Sequence, residues 1–257
     1  MNTTEFLTSS WVWSPLAFVC MAVGLVTYFR CFGWSRRAWW MVAAMAGLLL
    51  TLMSPLAALA QGYLFSAHML QHILLLLLMP ALALLALPAS TRMPPRLARL
   101  LHPAVCWACG VGAMWVWHAP ALCDAAADSR AIAAVQTLSL LVLGAAFWWQ
   151  VLAPSESQRI APLRGVIYLF TACAACTVLG IIVTFSPVTV CRAYLHPVDR
   201  LGIASMIEGA WGMTPQRDQQ IGGLLMWVPM CLAYLGAILG QLARWYAVPA
   251  ETPIATT

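Results

Sequence analysis

Residues 67–88 read AHMLQHILLLLLMPALALLALP, and the fold turns on what this stretch is. Twenty-two residues without Asp, Glu, Lys or Arg are enough to cross about 30 Å of hydrocarbon as a helix. The run is continuous rather than alternating, which excludes a barrel strand. At its mouth stand His68 and His72, one helical turn apart and therefore on one face. A lone histidine there satisfies itself with water, a lipid headgroup or a carbonyl one turn back. A same-face pair asks for a further reason, because ionisable residues in a membrane helix mark function by default.

Similar stretches recur along the chain. Of its 257 residues 63% are hydrophobic and only 8% charged, against about 25% charged in soluble domains. The reading is an all-α polytopic membrane protein, a single domain over residues 1–257. Seven spans are expected at Trp11–Arg30, Trp39–Ala60, Ala67–Leu87, Ala104–Leu122, Ile132–Leu152, Val166–Phe185 and Gly222–Trp245. Pro80 and Pro229 lie inside spans and each frees a carbonyl. The N-terminus has no basic residue and so no signal-peptide pattern, and no cleavage is expected. No basic run carries interleaved aromatics, which argues against nucleic acid as a partner.

The arginines orient the bundle. Arg30, Arg36 and Arg37 flank the first connection, Arg92, Arg96 and Arg99 lie in the third, Arg159 and Arg164 in the fifth, and Arg244 closes the last span. The alternate connections hold Arg130, Arg192, Arg200 and Arg217, accompanied by Asp124, Asp128, Asp199, Glu208 and Asp218. Positive-inside weighting places the N-terminus outside and the C-terminus in the cytoplasm. Tryptophans agree as interfacial belts, with Trp11, Trp13, Trp115, Trp117 and Trp227 outside. Trp39, Trp40, Trp148, Trp149 and Trp245 lie inside with Tyr246. The long connection at 186–221 falls on the outer side. It has room for a short amphipathic helix, and Thr214 with Pro215 reads as the start of the last helix.

On this topology the polar residues converge. His68 and His72 open span three, His118 closes span four, and Asp218, Gln219 and Gln220 stand where span seven begins, all at the outer end. Three imidazoles at one depth suit copper, zinc, iron or nickel. Met69, Met226 and Cys123 add soft sulfur that favours Cu(I), although methionine is also ordinary core filler. Asp218 reads more simply as a partner for the positive end of its own helix. HMLQH lacks the glutamate of HExxH, with Met69 in its place and Gln71 beside the second histidine, so zinc proteolysis by that route is excluded. The CxxC pairs Cys106/Cys109 and Cys173/Cys176 fall within spans and read as packing rather than redox chemistry. GxxxG at Gly236–Gly240 points to close helix contact.

Four stretches together carry a resemblance: SAHMLQHILLLLLMPALALLALP, WHAPALCDAA, FWWQVLAP and RDQQIGGLLMWVP, in that order. They resemble the CtaG family of multi-span cytochrome c oxidase assembly factors, from about Phe65 to Trp245. The resemblance implies a seven-span protein of the bacterial cytoplasmic (inner) membrane that is not an enzyme and serves the maturation of haem–copper oxidases. Copper is its supposed cargo, and oxidase subunits and a periplasmic copper donor its supposed partners. It maps the metal-suitable positions onto His68, His72 and His118, and the acidic-amide motif onto Asp218, Gln219 and Gln220. Two departures stand out. Span five of the family commonly carries a histidine pair and a glutamate, where this chain has Ala133, Gln136 and Thr137. The usual tyrosine after the span-four motif is Cys123, a substitute soft donor.

The expectation is an assembly factor that holds copper near the outer face through His68, His72 and His118. Its rivals are a b-type haem protein with axial histidines from spans three and four, and a transporter or scaffold with structural histidines.

Overall fold

Prolines set most of the helix starts, because a missing N–H is harmless in the first turn and the fixed φ suits it. The computed structural model describes residues 2–247, and among these there is no strand. Helix α1 (Thr3–Ser9) begins with a capping box between Asn2 and Glu5. It is followed by α2 (Pro15–Phe32), α3 (Ala38–Met53) and α4 (Pro55–Ala60). Next, α5 (Phe65–Ile73) and α6 (Met79–Ala86) form one rod joined by a π-turn at Leu74–Leu78. The short α7 (Pro95–Leu100) precedes α8 (Pro103–Trp117) and α9 (Pro120–Asp128). The chain closes with α10 (Arg130–Leu152), α11 (Pro162–Phe185) and α12 (Pro215–Tyr246). As expected, Pro215 opens α12, and the Thr214 hydroxyl accepts the Arg217 N–H at 3.3 Å.

Two of the seven expected spans are not single helices. Trp39–Ala60 is not one helix: Ser54 leaves the helical region and caps α4, with Pro55 at its first position. What remains in α3 is 16 residues, about 24 Å of rise, short of a bilayer core. Ala104–Leu122 ends early, because Pro120 starts α9 at 74° to α8. Among the described residues five helices are long and apolar enough to cross a membrane, or six if the bent pair is one span.

Small residues let the helices close on one another. Pro80 cannot donate to the carbonyl of Leu76, and that carbonyl lies against Gly144 of α10, where a Cβ would collide with it. Gly223 of α12 rests against Thr184, and Gly180 of α11 against Trp227. By contrast Gly236 and Gly240 have nothing within 4 Å of a Cβ position, so among the described residues the GxxxG pattern meets no other helix. Three expected belt tryptophans are also core residues: Trp117, Trp148 and Trp149 are buried. Trp117 donates its indole N–H to Ser139 at 2.9 Å.

The bundle has two chemically distinct ends. One carries the N-terminus of α5, the C-terminus of α8, α9 and residues 186–214. There Ile203, Met206 and Ile207 pack on Phe6 of α1 and on Tyr63 and Leu64. A short helical turn at Met206–Ala210 stands where the amphipathic segment is expected. The other end carries Arg37, Arg159 and Arg244.

Candidate functional site

Helix α12 shapes the site before any histidine enters it. Asp218, buried in the first turn, aims its carboxylate at α5 rather than at its own helix. Its Oδ2 accepts the N–H of Phe65 at 2.6 Å and its Oδ1 that of Ser66 at 3.0 Å. Helix α5 needs this, because Leu64 at its N-cap has no side-chain oxygen to offer. One turn further, Gly222 admits the same helix: a Cβ there would lie 2.6 Å from Phe65 Cδ1 and 3.1 Å from Met69 Cγ. Gln219 fixes the chain after α11. Its Oε1 accepts the Val190 N–H at 2.9 Å, and its Nε2 donates to the carbonyls of Val183, Ser186 and Val188. Gln220 is exposed and takes no part.

So held, α5 presents His68 and His72 together, with ring centroids 4.4 Å apart. His118, at the C-cap of α8, brings its ring to 5.3 Å from that of His72. The three are 7%, 1% and 5% exposed, so all face the bundle and none faces lipid. The expected convergence of three imidazoles is present.

The hydrogen-bond inventory of these rings is unusual. His118 Nδ1 pairs with the carbonyl of Met114, and its Nε2 stands 2.9 Å from the Met69 sulfur. A carbonyl only accepts, so Nδ1 must carry the hydrogen. In a neutral ring Nε2 then has only a lone pair, and it faces a thioether that also has only lone pairs. Two acceptors confront each other with no hydrogen between them. Nearby, His68 Nε2 and both ring nitrogens of His72 have no partner. Each buried polar atom left unpaired costs about 1–3 kcal/mol. Lone pairs gathered in an apolar interior are what a cation can satisfy together. The arrangement is not a finished coordination shell: among the described residues no three or more His, Cys, Asp or Glu side chains are grouped to hold a metal ion.

The remaining sequence candidates divide. Met69 joins the cluster through His118. Met226 is fully buried in the same core, one turn beyond Gly222. Gln71 points to α3, donating to the Thr51 carbonyl at 2.6 Å. Cys123 forms a disulfide with Cys191 and has no thiolate to offer. His102 and His196 are exposed and separate from the cluster.

One neighbour was legible only as a missing imidazole. Gln136 of α10 is buried, its amide approaches His72, and its Nε2 has no partner. The signal was there, since an amide in an otherwise apolar helix needs a reason. Tyr194 was not singled out by the sequence at all, yet its ring lies 5.7 Å from that of His68.

A family model described as cytochrome c oxidase caa3 assembly factor matches residues 11–247. Neither a curated protein nor a solved structure matches the chain.

Proposed function

Because the chain belongs to the cytochrome c oxidase caa3 assembly factor family, we propose that it holds one copper ion, as Cu(I), for delivery to a haem–copper oxidase subunit. The observation that carries this reading is the pair of facing acceptors, His118 Nε2 and Met69 Sδ, beside the unpartnered nitrogens of His68 and His72.

The charge of the donor set selects the ion. Three imidazoles and a thioether are all neutral, and the Asp218 carboxylate is already engaged by two N–H groups of α5. A divalent ion would bring two uncompensated charges into an apolar interior, whereas Cu(I) brings one. A thioether also favours the softer ion. Ring centroids of 4.4 and 5.3 Å leave ion-sized rather than porphyrin-sized room, which favours copper over haem. Weak neutral ligands suit cargo, since a receiving site can displace them one at a time.

The copper would be taken up and released on the outer side of the bacterial cytoplasmic membrane. The arginine-rich end then faces the cytoplasm, as positive-inside weighting requires. The Cys123–Cys191 disulfide supports the same orientation, because such bonds persist in oxidising compartments and lie here at the histidine end. A periplasmic copper donor would load the site and an oxidase subunit would receive the ion.

The test is anaerobic Cu(I) titration of the purified full chain against a competing chelator. One ion per chain, lost in His72→Ala, is expected. Equal binding by wild type and His72→Ala would overturn the reading.

A further inference from the structure

At the arginine-rich end of the bundle α8 and α11 both begin, and a groove of about 310 Å³ opens between their first turns. Small-molecule sites run from about 300 to 1,000 Å³, so the groove is large enough to hold a ligand. Pro103 and Trp107 of α8 form one wall, and Ile167, Tyr168 and Thr171 of α11 the other. Arg164 stands where the groove starts, in the first turn of α11. From there the groove follows one face of α11 to Thr171, about 10 Å of helix rise.

Polarity is graded along that length. Arg164 is exposed and, among the described residues, has no hydrogen-bond or ion-pair partner. Beyond it the hydroxyl hydrogens are already used within the bundle. Tyr168 donates to the Phe147 carbonyl at 3.1 Å, and Thr171 to that of Ile167 at 2.8 Å. The Trp107 indole N–H is itself buried, so the wall it offers is carbon. Charge at this end is one-sided. The connections at 33–37, 87–102 and 153–161 each carry arginine, and Glu156 is their only carboxylate.

We propose that this groove holds one anionic phospholipid, with its phosphate on Arg164 and an acyl chain along Trp107, Ile167 and Thr171. A free guanidinium offers a phosphate two parallel N–H bonds. The acyl chain fills the apolar length beyond, which a free phosphate ion would leave open. A zwitterionic headgroup brings its own cation to a surface already crowded with arginines, whereas an anionic headgroup brings none. Basic pockets between membrane helices are where such headgroups settle. The histidine cluster takes no part, since His118 stands at the opposite end of α8.

The test is photo-crosslinking of the full chain in phosphatidylcholine nanodiscs, mapped by peptide mass spectrometry. The probes are phosphatidylglycerol and phosphatidylcholine with the same diazirine-bearing acyl chain, each added in trace amount. Labelling of residues 103–107 and 164–171 by the phosphatidylglycerol probe should exceed that by the phosphatidylcholine probe about fivefold, the worth of one arginine beside an anionic headgroup. Arg164→Gln should bring the two probes level there and leave the melting temperature unchanged. Arg96→Gln, exposed on α7 and outside the groove, should keep the wild-type ratio. Equal labelling by the two probes in the wild type overturns the proposal. So does a ratio that Arg164→Gln leaves in place, or one that Arg96→Gln lowers as much.

Discussion

Asp218 receives the backbone N–H of Phe65 at 2.6 Å across a sequence separation of 153 residues. The helix that bears His68 and His72 is thus capped by the helix that closes the fold, and the depth of both imidazoles depends on that one carboxylate. Asp218→Ala leaves two buried N–H groups unpaired and should cost about 2 kcal/mol or more. Amide exchange at Phe65 and Ser66 should rise well before exchange elsewhere in α12. Unchanged exchange there would show that α5 does not lean on this cap.

Met69→Leu keeps the volume and removes the sulfur. It should weaken Cu(I) binding about tenfold, near 1.4 kcal/mol, and leave thermal stability within about 1.5 kcal/mol of wild type. Competition titration and melting in detergent separate the two effects. The same measurements on Gln71→Ala should show no loss of copper, because that side chain faces Thr51.

Glycine substitutions should fall into two signs. Gly144→Ala drives a methyl into the Leu76 carbonyl, a backbone group with little freedom to move, and should destabilise by about 1–3 kcal/mol. Gly222→Ala meets the Phe65 ring and should cost less for stability while displacing α5. Gly236→Ala meets open space and should stabilise its helix by up to about 1 kcal/mol. Melting temperatures of the three variants give the order.

The connection at 199–204 should respond to acid. Slight desolvation pushes the Asp199 carboxyl up, but N–H groups of Ile203 and Ala204 and the Tyr63 hydroxyl outweigh it and hold the group below the ordinary carboxylate range. A depressed folded value means that the stabilisation is fully present above the ordinary range and is lost as pH falls through the folded value. Exchange of the Ile203 and Ala204 amides, corrected for intrinsic rate, should stay flat from neutral pH to about 5 and rise below about 4. Asp199→Asn should abolish that dependence.

Purified protein should show no Soret absorption after growth with haem precursor. A band that vanishes in His118→Ala would replace copper with a b-type haem.

What the sequence made legible was mostly local. Spacing placed His68 and His72 on one face, and Thr214–Pro215 marked the start of α12. The long-range facts were hidden. Asp218 looked like a partner for its own helix dipole because nothing in the chain announces that α5 lacks a cap. The break at Ser54–Pro55 carried a visible proline signal, but the hydropathy on both sides masked it. Trp148 and Trp149 resemble interfacial residues in composition, but Trp148 packs against Phe147 and Tyr234 and both tryptophans are buried in the core. Asn2 and Glu5 carried a capping-box pattern that the apolar bulk of the chain overshadowed.

The bond between Cys123 and Cys191 also bears on a matter of parity. Two sulfurs joined to each other lie at one depth, so the chain between residues 123 and 191, where it crosses a bilayer, crosses it an even number of times. Within that arc, among the described residues, only α10 and α11, of 23 and 24 residues, are long and apolar enough to do so. The arc is a there-and-back hairpin, and its two ends stay level even if the handedness of the whole insertion were reversed.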